Sequence, residues 1–189
     1  MKYLVLLAGC GLGDGSCIEE VILTYVALDK YGCDYTPVAE DVSIQSVNHL
    51  TEQMAEKRNI LIEAARIGRG RIKDIHEVDF AEYDALIIPG GIGLLNNYRD
   101  SSVIKTCVTH FICEKKPVAA MCAGIDFLRR FYGSSLLARE MKERTAEKFC
   151  FDAENNVYST PAFRKTNSSY TTLLGIDSMI YALKQSQTL

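Results

Sequence analysis

The stretch Pro117-Val118-Ala119-Ala120-Met121-Cys122-Ala123-Gly124 decides the fold of this chain. Pro117–Met121 is short, apolar and free of charge, the pattern of a strand buried on both faces. Cys122-Ala123-Gly124 then passes directly into a segment with Ile125, Leu128 and Phe131 at helical spacing. A strand that enters a helix with no linker makes a tight elbow, and Cys122 stands on it. Amides and dipole at the helix start favour a thiolate there. The amide of Ala123 is suited to hold an oxyanion, as at a nucleophile elbow. The same residues also fit a small side chain on an ordinary strand-to-helix turn.

Working outward, two further apolar strands, Tyr3–Ala8 and Ala85–Ile88, each end in glycines, at Gly9–Gly15 and at Gly90–Gly93. The spacing of Ile18, Val21, Ile22, Tyr25 and Val26 predicts a helix, with Ser16 and Glu19 as a capping box at its start. Asp34–Ala39 reads as extended and Thr51–Ile67 as one helix with Ile60, Ala64 and Ile67 on a face. A short strand is expected within Arg71–Val78, and a helix through Val103, Ile104, Cys107, Val108, Phe111 and Ile112. Lys148–Phe151 and Val157–Thr160 suit a hairpin across Asn155-Asn156. Thr171–Leu183 closes the chain as a helix with Leu173, Leu174, Ile176, Met179, Ile180 and Leu183 in the core.

Strands alternating with helices predict an α/β fold with a mostly parallel sheet and helices on both faces. Sites in such folds lie outside the carboxyl ends of the strands. The three glycine-bearing turns are therefore expected to converge there. The 189 residues fit one domain, 1–189.

The net charge of −3 argues against a dedicated nucleic-acid binder, and the basic run Arg66–Lys73 carries no aromatic residue to stack a base. The apolar run Tyr3–Ala8 is shorter than a secretory core, and no stretch approaches the ~18 apolar residues of a membrane span. A cytoplasmic protein with reduced thiols is expected. The seven cysteines are scattered, with no Cys-x-x-Cys pair and with the histidines far from them, so neither a disulfide framework nor a metal is expected. The run Gly9-Cys10-Gly11-Leu12-Gly13-Asp14 fails the dinucleotide pattern because Asp14 replaces its third glycine, and no cofactor is expected.

Around Cys122 the candidate partners are few. Gly90 and Gly91 let backbone approach a ligand closely, with the Gly91 amide as a second oxyanion donor, though taken alone they fit a plain tight turn better. Glu20, in the first turns of the first helix, is placed to donate a proton to the thiolate or to shuttle one from a substrate. It also fits an ordinary exposed helix glutamate. His49, in Asn48-His49-Leu50, is the best-placed imidazole, expected in a loop before a helix, and Cys10 ends the first strand near enough for a thiol pair to be considered. A carbonyl enzyme, a redox sensor and a small-molecule binder all remain open, and a homodimer is expected.

At this point the residues match a pattern. Gly-Cys-Gly-x-x-Asp-Gly-Ser at Gly9–Ser16, Asn-His-Leu-Thr at Asn48–Thr51 and Arg58–Ile67 are among its segments. Asp84–Gly91, Met121-Cys122, Ser159–Ala162 and Gly175–Asp177 complete it. The chain resembles the ElbB proteins, known as enhancers of lycopene or isoprenoid biosynthesis, in the PfpI/ThiJ branch of the class I glutamine amidotransferase-like superfamily. The resemblance implies a flavodoxin-like three-layer sandwich with Cys122 at the elbow, Glu20 as its acidic neighbour and an oxyanion site at Gly91 and Ala123. It implies glutathione-independent glyoxalase activity on small carbonyls such as glyoxal and methylglyoxal. Hydrolytic amidotransferases use Cys-His-Glu, whereas Ala123 follows the cysteine here. The stretch from Cys122 to Ser159 is shorter than in typical members.

Overall fold

The structure, a computed structural model, describes residues 1–132 and 145–186. The chain runs β1 (Lys2–Leu6), α1 (Ile18–Lys30), β2 (Asp34–Ala39), β3 (Ser43–Val47), β4 (Met54–Asn59), α2 (Ile60–Ile67) and β5 (Lys73–Asp74). It continues with β6 (Ala85–Ile88), α3 (Gly93–Asn97), α4 (Ser102–Cys113), β7 (Val118–Met121) and α5 (Ala123–Tyr132). After the interval it resumes with β8 (Cys150–Asp152), β9 (Val157–Thr160), a single 3-10 turn at Ala162–Arg164 and α6 (Ser169–Ser186). The shortness expected between Cys122 and Ser159 falls on residues 133–144, outside those described.

Seven strands form one sheet in the order β5-β2-β1-β6-β7-β9-β8. Every neighbouring pair is parallel except β8–β9, which is the expected hairpin. Residues 3–6 of β1 and all of β6 and β7 are wholly buried, since helices lie on both faces. α1 packs against α6, and α5 against α3, while α4 lies on β6. This is the three-layer α/β sandwich that the alternation of elements predicts. Reversal of the chain's direction across the sheet at β1 and β6 places β1, β6 and β7 side by side, so their carboxyl ends share one rim.

Three details differ from the sequence reading. Residues 54–59 are not helical: they form β4, paired antiparallel with β3 as a separate two-stranded sheet. Their good helix formers yield to that pairing, and Asn59 then caps α2 by accepting from the Ile62 N–H at 2.9 Å. The capping box is absent. Ser16 Oγ instead accepts from the Ala8 N–H at 2.9 Å across the glycine loop, and Glu19 accepts from Ser169 Oγ. On the last helix, Leu174 is exposed rather than core, and on α1 Ile18, Ile22 and Val26 are exposed as well.

Candidate active site

Backbone hydrogen bonds join the first two glycine turns, and Gly90 lies against Cys122 and Ala123 of the third. Cys17 N–H donates to Gly90 O at 2.8 Å, Gly93 N–H to Gly15 O at 3.1 Å, and Ile92 N–H to Leu12 O at 2.8 Å. Asn97 ties the same loops by donating to Ala8 O and Asp14 O. Beside this junction β7 ends and α5 begins. Cys122, between them, has φ +48°, a left-handed conformation that costs a non-glycine residue roughly 1–3 kcal/mol. The strand below and the helix above impose it, and it lifts the half-buried side chain off the rim.

Glu20 reaches this point from the first turn of α1. It is fully buried, and its Oε2 accepts from the Gly90 N–H at 2.7 Å. Its Oε1 is buried with no hydrogen bond of normal geometry. The polar groups beside the carboxyl are the Cys122 thiol and the Phe163 N–H. Burial raises the Glu20 carboxyl to a pKa of about 7, against smaller opposing effects of the Gly90 amide, Cys122, the Phe163 amide and Arg164. The pair could not form with any larger residue at position 90. A Cβ there would lie 2.3 Å from Glu20 Oε2 and 2.8 Å from Cys122 Cβ. Gly91, at φ +126°, is likewise confined, since its Cβ would lie 2.2 Å from Gly15 O.

The thiol does not behave as the helix start alone implies. Burial, followed by the charge of Glu20, pushes Cys122 up to about 12, against lowering by Arg164 and by the Ala123 amide. Desolvation of a thiolate outweighs the helix-start amides here. At neutral pH the sulfur is a thiol, next to a carboxyl group poised near neutrality.

His49 and Cys10 lie elsewhere. The turn between β3 and β4 carries His49, rather than a loop before a helix. Its Nε2 accepts from the Gly13 N–H at 3.1 Å, and its Nδ1 lies 3.1 Å from Val47 O. Nε2 thus fastens the β3–β4 turn to the glycine loop, while Nδ1 lies against the end of β3 itself. Cys10 and His49 line a cavity of about 320 Å³ with Asp14, Arg58 and Glu63, and Cys122 does not border it. All seven cysteines are free thiols. Among the described residues no three His, Cys, Asp or Glu side chains cluster as metal ligands, and no helix is long and apolar enough to cross a membrane.

Arg164 and Asp126 are neighbours of the site that the sequence reading passed over. The only signal was the Ser159–Ala162 segment, which the 3-10 turn of Arg164 continues.

The sequence of residues 11–132 matches the DJ-1/PfpI family. The chain belongs to the DJ-1/PfpI family. A crystal structure of an isoprenoid biosynthesis protein with an amidotransferase-like domain from Ehrlichia chaffeensis superposes with a TM-score of 0.86 at 30% identity, covering 99% of each chain. That likeness places the chain in the ElbB-type branch of this DJ-1/PfpI family. The mitochondrial ES1 protein homolog of Rattus norvegicus is 32% identical over 134 residues, 64% of this chain and 50% of the rat protein. A mitochondrial glutamine amidotransferase-like class 1 domain-containing protein of Homo sapiens is 28% identical, over 95% of this chain and 81% of the human one. The chain thus spans half the length of the rat relative. The cytoplasmic expectation does not stand, because these relatives are named as mitochondrial proteins.

Proposed function

We propose that this DJ-1/PfpI-family chain is a cysteine-dependent enzyme acting on small reactive carbonyls, converting glyoxal or methylglyoxal to the hydroxy acid without glutathione. One observation carries the reading: a buried carboxyl group, Glu20, with a pKa near 7 and an unpartnered oxygen, lies beside the Cys122 thiol. A group of that pKa is matched to accept and return protons at neutral pH. As Cys122 Sγ bonds to the aldehyde carbon, its proton passes to Glu20 and the Gly91 and Ala123 amides receive the oxyanion. Glu20 returns that proton to the oxyanion, which completes the hemithioacetal and leaves Glu20 ionised as the base for the next step. Glu20 next takes the proton from the former aldehyde carbon and delivers it to the adjacent carbon through an enediol. The resulting thioester is hydrolysed by water, which releases the hydroxy acid and restores the thiol. Each turnover consumes one dicarbonyl and one water.

His49 is engaged by backbone groups away from Cys122, which supports a carboxylate rather than an imidazole as the proton carrier. A redox sensor requires an exposed, ionised thiol, and the upward shift of Cys122 weighs against it. The reading treats residues 1–189 as one domain and includes a homodimer, supported by the apolar stripe Ile18, Ile22 and Val26 exposed along α1. The test compares two rates on one sample: methylglyoxal consumption and peroxide oxidation of Cys122. Fast consumption with slow oxidation supports the enzyme. Fast oxidation without consumption replaces it with the sensor.

A further inference from the structure

We infer that a second cavity, at the opposite end of the sheet from Cys122, binds a small zwitterion: a free α-amino acid with a short, neutral, hydrogen-bonding side chain. The cavity has a volume of about 250 Å³ and lies between the second half of α1, the start of β2 and the turn after α2. Asp34 and Tyr35 of β2 stand opposite Lys2 and Tyr3 at the start of β1, whereas Cys122 follows the end of β7. No residue of the proposed carbonyl reaction borders this cavity.

The floor carries two phenol groups. Tyr25 and Tyr35 are stacked with ring centroids 5.1 Å apart, and both line the cavity. Tyr25 is only 6% exposed. Both hydroxyls are buried, and neither has a hydrogen-bond partner among the described residues. Gly68 forms the facing wall. A Cβ there would lie 3.7 Å from Tyr25 Oη, so the glycine leaves the space before that hydroxyl open. Buried hydroxyls without partners are costly, and native proteins supply them with a polar atom of a ligand or with water.

The mouth is charged. Asp29, Asp34 and Arg71 line it and are exposed. Arg71 Nε donates to Gly68 O at 3.3 Å, which holds the guanidinium at the cavity wall. Water alone satisfies the phenols but makes no use of a mouth with both signs of charge. An amine without a carboxylate would face Arg71, and a carboxylate without an amine would face two aspartates. A molecule bearing both groups meets an opposite charge at each end, with its ammonium toward Asp29 and Asp34 and its carboxylate on Arg71. Its side chain then points inward, where the unpaired phenols call for a neutral donor or acceptor. The volume is below that of a drug-sized site and suits a short side chain.

The test is an NMR titration of the full chain with L-serine and with three molecules that each lack one of its groups. Ethanolamine lacks the carboxylate, 3-hydroxypropanoate the ammonium and L-alanine the hydroxyl. Serine is small, so a Kd on the order of 1 mM is expected. Each of the other three is expected to bind at least about threefold more weakly. Tyr25→Phe, which removes only the hydroxyl, is expected to weaken serine binding by roughly two- to tenfold, and Arg71→Gln by about as much. Arg71 is exposed, so its variant carries the test should Tyr25→Phe fail to fold. Absence of serine binding would leave a cavity for water only and overturn the inference. Equal binding of ethanolamine or of 3-hydroxypropanoate would overturn it in favour of a simple cation or anion site, and equal binding of L-alanine would remove the role of the phenols. Serine binding unaffected in the folded variants would place the amino acid elsewhere and overturn it too. None of these outcomes depends on methylglyoxal turnover.

Discussion

Gly90 donates its backbone N–H to Glu20 Oε2 at 2.7 Å, across 70 residues of chain. This bond joins the first helix to the turn after β6, and it aims the carboxyl at Cys122. The glycine is required on both counts, for its amide and for its missing Cβ.

Gly90→Ala is therefore expected to disable the site. The added methyl would meet Glu20 Oε2 at 2.3 Å and the Ala123 N at 3.1 Å, so either the carboxyl or the elbow must move. Overpacking of this kind costs roughly 1–3 kcal/mol. Urea denaturation should show that loss, and methylglyoxal turnover should fall at least a hundredfold. Retained turnover would show that the Glu20–Cys122 geometry is not what the reaction uses.

Glu20 also sets a pH dependence of stability. Its pKa is raised from 4.5 to about 7 in the folded state. An acid with a raised folded pKa keeps its proton in the native state after the unfolded chain has lost its own. Its contribution to stability is complete below about 4.5 and is lost as pH rises to about 7, by about 3 kcal/mol in all. Glu20→Gln should abolish that share of the decline and be the more stable protein at pH 8. Thermal unfolding of both proteins at pH 5 and pH 8 checks this. Equal declines in the two would place the titrating group elsewhere.

His49→Ala separates scaffold from chemistry. It removes the acceptor of the Gly13 N–H and the Nδ1 contact with Val47 O. A stability loss of about 1 kcal/mol is expected, with turnover within twofold of the parent. A collapse of turnover in a folded His49→Ala protein would restore the imidazole to the reaction.

Cys10→Ser tests the separation of the two thiols. Cys10 borders the cavity beneath the β3–β4 sheet, and Cys122 does not. Turnover and Cys122 alkylation should both stay within twofold of the parent. A large drop in either would couple the thiols.

The sheet is largely legible in the sequence because its strands are buried on both faces and therefore apolar throughout. Ala85–Ile88 is read to the residue for that reason, and the helix through Ile104, Cys107 and Phe111 because one face alone is buried. Met54–Asn59 escapes, since it forms a solvent-facing strand from residues that favour helices in isolation. Of the site, the elbow and the glycines are legible because tight turns restrict which residues fit. Glu20 is legible only as a candidate, since nothing in its local sequence reveals that a distant glycine turn buries it. The thiol pKa goes the other way from the local expectation for the same reason: helix-start amides are encoded nearby, and desolvation comes from segments far along the chain. Arg164 lies in a short 3-10 turn with no periodic signal, and its relation to Cys122 depends on β9 pairing with β7.

The most direct test of the central claim is hydroxy acid formation from methylglyoxal, without added thiol, by the parent protein, Cys122→Ala and Glu20→Gln. Lactate is expected from the parent, none above background from Cys122→Ala, and at least a hundredfold loss in Glu20→Gln with the fold intact. Undiminished lactate formation in either variant would contradict it, as would a folded parent protein that forms no lactate or glycolate from methylglyoxal or glyoxal.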